Sequence, residues 1–187
     1  SRIFWNSGCA SMGYDLPAAI GACVANNNSK TVCLAGDGSL QMNIQELETV
    51  AHNKLPVKIF VLNNGGYSSI KQTQANFFGL PYVGCDGQSG VGFPEFTKVA
   101  KAYGIKAFSI LRNKGMEGKI KAALDFKGPV LCEVFLEKNY KFSPRLSSKK
   151  LEDGRIISSP VEDMSPFLNR DEFRENMLIP VLKESCF

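Results

Sequence analysis

The 187-residue sequence holds no apolar run approaching the ~20 residues that span a bilayer, so a helical membrane protein is not expected. Its first residues, Ser1-Arg2-Ile3-Phe4-Trp5, lack the charged region, apolar core and cleavage site of a signal peptide. They also lack an initiator Met, which suggests a piece of something longer. There is one histidine, His52, at the end of a helical pattern (Glu46 to Ala51). That excludes a multi-histidine metal centre or a histidine-based triad, and His52 is expected on the surface. The cysteines at 9, 23, 33, 85, 132 and 186 form no Cys-x-x-Cys pair. They read as buried free thiols in a reducing cytoplasm rather than as a zinc site or a disulfide framework. Basic residues are scattered for a net charge of only +4, with Lys149-Lys150 the nearest thing to a cluster, so nucleic acid is not an expected partner. No G-x-x-x-x-G-K-[ST] loop occurs.

What is present is the composition of an ordinary globular protein, 44% hydrophobic and 21% charged. Apolar runs alternate with helical patterns. Leu16-Pro17 opens a helix of small residues that runs to Ala25, and the proline suits a first turn. Strand 31–35 is followed by a helix carrying Ile44, Leu47, Val50 and Ala51 on one face. Strand 57–62 reads as buried on both faces, as parallel-sheet strands are. A helix over 67–76, a glycine-rich loop, a helix begun by Pro94, strand 105–111, a helix over 116–124 and strand 129–136 complete the alternation. The expected fold is α/β, a doubly wound, mostly parallel sheet with helices on both faces. It should occupy residues 1–140. The polar remainder, 141–187, is expected to be a tail packing on the domain or a partner subunit, with a capped helix starting at Asn169-Arg170-Asp171-Glu172.

Two strands end in oxygen-bearing side chains: Gly36-Asp37-Gly38-Ser39 follows the first, and Asn63-Asn64-Gly65-Gly66 follows the second. The spacing is that of a βαβ crossover, which would bring Asp37 and Asn64 to one edge of the sheet, where open α/β sheets bind ligands. Oxygen ligands beside small residues suit Mg²⁺ shared with a phosphate. A dinucleotide loop is disfavoured because Gln41 stands where G-x-G-x-x-G needs its third glycine. For Asp37 alone, a strand–helix turn or cap would be the plainer reading; the pairing with Asn64 favours a metal–phosphate site.

The pattern Gly-Asp-Gly, 24 intervening residues, then Asn-Asn resembles the signature of thiamine diphosphate (ThDP) enzymes. Three stretches, Ser11 to Ala22, Asn43 to Thr49 and Phe93 to Gly104, resemble the acetolactate synthase and 2-oxoacid decarboxylase branch. The likeness covers roughly residues 5 to 140 and implies the C-terminal, diphosphate-binding domain of such an enzyme. By that resemblance, Mg²⁺ takes Asp37, Asn64 and the Gly66 carbonyl. Gly36, Gly38, Ser39, Tyr67 and Ser68 belong to the diphosphate loops, Met12 supports the bent cofactor, and Ala10 with the Met12 backbone contacts the aminopyrimidine.

The resemblance implies a carboligase or decarboxylase acting on 2-oxoacids, with ThDP and Mg²⁺ as cofactors. It also implies a partner, since the glutamate that activates the cofactor lies in a separate pyrimidine-binding domain, usually across a subunit interface. These residues are therefore expected to be inactive alone, as part of a chain about three times longer or one subunit of a split enzyme, oligomeric when complete. Acetolactate synthases typically carry Gln-Trp-Gln after Asn-Asn, whereas Gln72-Thr73-Gln74 stands here, so the acceptor pocket should differ. Lys71 and Arg145 are expected to be solvated surface charges. The rival reading is a non-catalytic phosphate- or nucleotide-binding α/β domain.

Overall fold

The computed structural model describes residues 2–6, 8–138, 140, 143–150 and 153–181. It divides into two compact units, Ser1–Asn139 and Tyr140–Phe187. The first contains α1 (Asp15–Ala25), β1 (Thr31–Gly36), α2 (Asp37–Met42), α3 (Glu46–His52), β2 (Val57–Asn63), α4 (Ser68–Phe77), α5 (Phe96–Ala102), β3 (Lys106–Ile110), α6 (Met116–Asp125) and β4 (Val130–Phe135). All four strands are parallel, in the order β1-β2-β4-β3. Parallel neighbours require crossovers, and helices in the intervening segments supply them.

The alternation of side chains along the strands builds a core on each face. Cys33 and Ala35 of β1, Ile59 and Val61 of β2 and Leu131 of β4 pack with Leu16, Leu47, Val50, Phe96 and Ala100 from the helices. On the other face Phe60, Val130, Cys132 and Ile110 pack with Ala123 of α6. β2 therefore has Val57 through Val61 buried without a break. At edge strand β1 the second face is bare, and Val32 and Leu34 are 49% and 65% exposed. Lys58 interrupts the apolar run of β2, yet is buried. Its ammonium donates to the carbonyls of Phe126 (2.6 Å) and Gly128 in the turn between α6 and β4. Phe126 is the C-cap of α6, so the cation satisfies one acceptor that the helix end leaves open, and the Gly128 carbonyl of the following turn adds a second.

One local expectation is corrected. The helix placed after the Gly-Asp-Gly turn is two short ones, α2 starting at Asp37 itself and α3 starting at Glu46. Asn43 leaves helical geometry at φ −132°, ψ 36°, and its amide is drawn off to the Gly13 carbonyl at 2.6 Å. His52 is the exposed last residue of α3. Cys23, Cys33, Cys85 and Cys132 are buried free thiols, whereas Cys9 is exposed; Cys186 lies outside the described residues. Burial pushes the Cys33 thiol up to about 12 and that of Cys132 up to about 11, so both stay protonated.

The second unit contains the antiparallel pair β5 (Ser148–Lys150) and β6 (Ile156–Ser158), then α7 (Arg170–Asn176). The Asn169 side chain caps α7 by accepting from the Asp171 N–H at 2.9 Å. Arg170 grips buried Asp163 through both terminal nitrogens, at 2.8 and 3.0 Å.

Candidate functional site

β1 and β2 lie side by side with Gly36 opposite Leu62, so the residues that follow emerge at the same sheet edge. Asp37 is 3% exposed, and a buried carboxylate must find donors. It finds three, all from the two loops. Oδ1 accepts from the Gly38 N–H at 2.7 Å, and Oδ2 accepts from Gly65 at 2.7 Å and Gly66 at 3.1 Å. The Asn64 Oδ1 accepts from Gly66 at 3.2 Å while its Nδ2 donates to the Ser68 hydroxyl at 3.1 Å. Asn63 turns the other way. Its Oδ1 accepts from Gly65 at 3.0 Å, and its Nδ2 donates to buried Glu133 at 2.7 Å. The Glu133 carboxylate also accepts from the Thr97 N–H at 3.4 Å.

Absent side chains shape the site as much as present ones. A Cβ on Gly38 would fall 2.0 Å from the Tyr67 ring, and one on Gly66 would fall 2.3 Å from the Cys85 carbonyl. The Tyr67 ring meets Phe93 edge to face, with centroids 5.8 Å apart. Behind the second loop, residues 82–91 form a turn held by Asp86. Gly66 bridges to Asp86, and the Tyr67 N–H donates to the Cys85 carbonyl at 2.7 Å. Asp86 pairs with Lys71 of α4 at 2.9 Å and accepts from the Ser89 hydroxyl at 2.8 Å. Lys71 and Ser89 hold the Asp86 carboxyl down at about 2, and bonding to Asp86 raises the Lys71 pKa. Lys71 is thus no freely solvated charge. Arg145 lies in the second unit, its backbone bonded to Ser165 both ways.

The entry segment reaches this edge through its backbone. The Gly13 N–H donates to the Ser39 hydroxyl at 2.9 Å, and the Gly13 carbonyl takes the Asn43 amide. Met12, 41% exposed, and Ala10, in the left-handed region at φ 48°, are carried on that segment. The structure therefore joins Asp37, Gly38, Asn64, Gly66, Tyr67 and Ser68 directly. Gly36 ends β1 beside them, Ser39 is tied to the entry segment, and Ala10 and Met12 lie on that segment. Sequence reading missed Asn43, Glu133 and Asp86. The run Asp86-Gly87-Gln88-Ser89-Gly90 was the one available signal, since Asp and Ser beside glycine mark side-chain-bonded turns.

The donor set is one carboxylate, one amide oxygen and backbone carbonyls. Among the described residues no group of three or more His, Cys, Asp or Glu could hold a metal. Such a hard, weakly charged set suits Mg²⁺ sharing its coordination with phosphate, and the two glycines leave the room that backbone approach requires. The residues fit the group.

A family model described as "Thiamine pyrophosphate enzyme, C-terminal TPP binding domain" matches residues 1–134. The chain belongs to that family. Membership implies ThDP with Mg²⁺ as the cofactor pair, and the four-stranded parallel sheet is consistent with the ThDP-binding fold. The chain is 41% identical over 145 residues to the acetolactate synthase large subunit of Pyropia yezoensis, covering 78% of this chain and 24% of the relative. It is 39% identical over 132 residues to the acetolactate synthase isozyme 2 large subunit of Escherichia coli K12, covering 71% and 24%. With acetolactate synthase 1, chloroplastic, of Zea mays, the identity is 33% over 147 residues, covering 76% and 23%. The chain spans about a quarter of the length of these curated relatives.

Proposed function

We propose that the complete protein is a ThDP-dependent carboligase or decarboxylase acting on 2-oxoacids, of which this chain supplies the Mg²⁺–diphosphate-binding part. The observation that carries the reading is the junction at Asp37, where one buried carboxylate gathers N–H donors from both βα loops. Asp37, the Asn64 side-chain oxygen and the Gly66 carbonyl would hold the metal. Gly36, Gly38, Ser39, Tyr67 and Ser68 would line the diphosphate, and Ala10 and Met12 the aminopyrimidine. When bound, ThDP supplies the electron sink for cleaving or forming a carbon–carbon bond beside a carbonyl. The chain's own residues bind and orient. Asp37 locks the two loops together, Asn63 and Glu133 fix the start of the second loop, and the Tyr67 ring shields Gly38 from water.

A pyrimidine-binding domain, on the same longer chain or another subunit, supplies the activating glutamate in this reading. The small 2-oxoacid is the substrate, and the working form is a homo-oligomer in the cytoplasm. No described helix is long and apolar enough to cross a membrane. The similarity to acetolactate synthases favours carboligation. Thr73, exposed on α4 and bonded to the Ser69 carbonyl at 3.1 Å, stands where those enzymes are expected to carry Trp and argues for a different acceptor.

The test is ligand-induced thermal stabilisation of the complete protein. A ligand that binds only the folded state raises stability by ~2.7 kcal/mol at a hundred times its Kd, so Mg²⁺ plus ThDP should raise the Tm by several degrees. In Asp37→Asn the baseline falls, because one N–H loses its acceptor, and the Mg²⁺-dependent increment disappears. An undiminished increment in Asp37→Asn would sink the reading.

A further inference from the structure

A second feature flanks the metal corner. A cavity of about 360 Å³ opens beside the Asn64–Ser68 loop, between it and the Cys85–Gln88 turn. It shares Asn64, Gly65 and Gly66 with the junction of the two loops and extends from there away from Asp37, Gly38, Ser39 and Met12, none of which lines it. Its charged lining is two ammonium groups, Lys71 and Lys138, against one carboxylate, Asp86.

The two lysines are held differently. Lys71 is pinned by Asp86 at 2.9 Å, with its ammonium 5.4 Å from the centre of the Tyr82 ring. Lys138 is delivered by the end of β4: the Leu136 N–H donates to the Asn63 carbonyl at 2.8 Å, which sets the strand's exit against the second loop. Two residues on, Lys138 lies across Gly65. A Cβ there would stand 3.1 Å from its Cε and 3.5 Å from its Nζ, and Gly65, at φ +76°, is the residue type that permits both the turn and the approach. Among the described residues Lys138 has no carboxylate partner. One cation is neutralised in place and the other is left over, so the cavity has a net charge of +1 beside polar groups of Asn64 and Ser68.

We propose that Lys138, with Lys71 as the fixed second cation, forms an oxyanion-binding site on the flank of the Asn64–Ser68 loop. The ligand is a phosphate oxygen of the cofactor or the carboxylate of the 2-oxoacid; naming these two sources rests on the functional reading above, whereas the cavity and its charges do not. Lys138 is exposed at the rim, so its removal costs no core packing. Lys71→Met is a poorer probe, because it also strips Asp86 of its partner.

The experiment compares wild type, Lys138→Met and Lys98→Met in the complete protein. Lys98 is a control cation, 73% exposed and paired with Glu95. In EDTA, which removes the metal site's contribution, sodium pyrophosphate is titrated by calorimetry. In protein loaded with Mg²⁺ and ThDP, sodium oxamate, an unreactive isostere of pyruvate, is titrated. Loss of a charge-assisted contact predicts about tenfold weaker binding in Lys138→Met, in the first arm if the oxyanion is phosphate and in the second if it is carboxylate. Lys98→Met should match wild type in both. The proposal is overturned if Lys138→Met matches wild type in both arms, if Lys98→Met weakens binding equally, or if wild type binds neither anion. Failure of the functional reading shows separately, as loss of Mg²⁺-dependent ThDP binding by wild type.

Discussion

Gly38→Ala puts the cradle to a quantitative test. Gly38 is buried in the first turn of α2, and its backbone is outside the left-handed region. By helix propensity alone, alanine should stabilise there by up to ~1 kcal/mol. The structure predicts the opposite sign. The new methyl would lie 2.0, 2.7 and 2.8 Å from three atoms of the Tyr67 ring, closer than real Cβ contacts. The ring must swing away, which gives up its edge-to-face contact with Phe93, worth ~0.5–1.5 kcal/mol, within an overpacking cost of ~1–3 kcal/mol. The net expectation is destabilisation by ~1–2 kcal/mol in urea denaturation of the 187-residue chain.

A double-mutant cycle isolates the cause. In a Tyr67→Ala background the methyl has nothing to strike, so Gly38→Ala should become neutral or stabilising. The coupling should be ~2 kcal/mol, within the range found for residues in contact. Gly38→Ala as stable as wild type with Tyr67 intact, or a cycle with no coupling, would refute the reasoning.

Two further perturbations address the supports of the second loop. Asp86 has its carboxyl pulled from 3.8 to about 2 by Lys71 and Ser89. A carboxylate depressed in the folded state contributes stability that is complete above its unfolded pKa and is lost as pH falls through the folded one. The 82–91 turn should therefore stay closed down to about pH 4 and open between there and about pH 2, read from amide exchange at Tyr67; an opening midpoint near 3.8 would contradict the assigned partners. Glu133→Leu should cost ~1–3 kcal/mol by stranding the Asn63 amide and the Thr97 N–H, and should weaken Mg²⁺-dependent ThDP binding. Glu133→Gln, which can still accept from Asn63, should recover most of the ThDP binding while losing the Thr97 contact. If Glu133→Leu changes stability alone, Glu133 does not position the loop.

What could be read from the sequence follows from how local its causes are. The four strands were recognisable because each is a short apolar run between turn residues, and Asn169 announced α7 because a cap acts within two residues. The pairing of Asp37 with Asn64 was recognisable because a βαβ crossover has a narrow length. Glu133 reaches Asn63 across 70 residues, and Lys58 reaches Gly128 across the same separation. No periodicity encodes which turn will face which strand end. Lys58 in particular looks like a flaw in an apolar strand until the carbonyls at the end of α6 are placed over it. Lys71 read as a surface charge for the same reason, since its partner belongs to a loop whose fold depends on that pairing.

Asp37 also removes a choice that the sequence had posed, between a turn-forming aspartate and a metal ligand. Its three N–H donors make it the fastener of both loops, so the turn role is present in the chain's own bonds. Oδ2 is occupied by two N–H groups, but Oδ1 accepts from one alone and keeps a second lone-pair direction, and an anion already fixed by N–H groups needs little reorganisation to accept a cation. The structural role therefore prepares the ligand role. Loss of stability in an Asp37 variant cannot argue against metal binding, and only the Mg²⁺-dependent increment separates the two. An aspartate that served the fold alone would give Asp37→Asn a lower baseline and an increment equal to that of wild type.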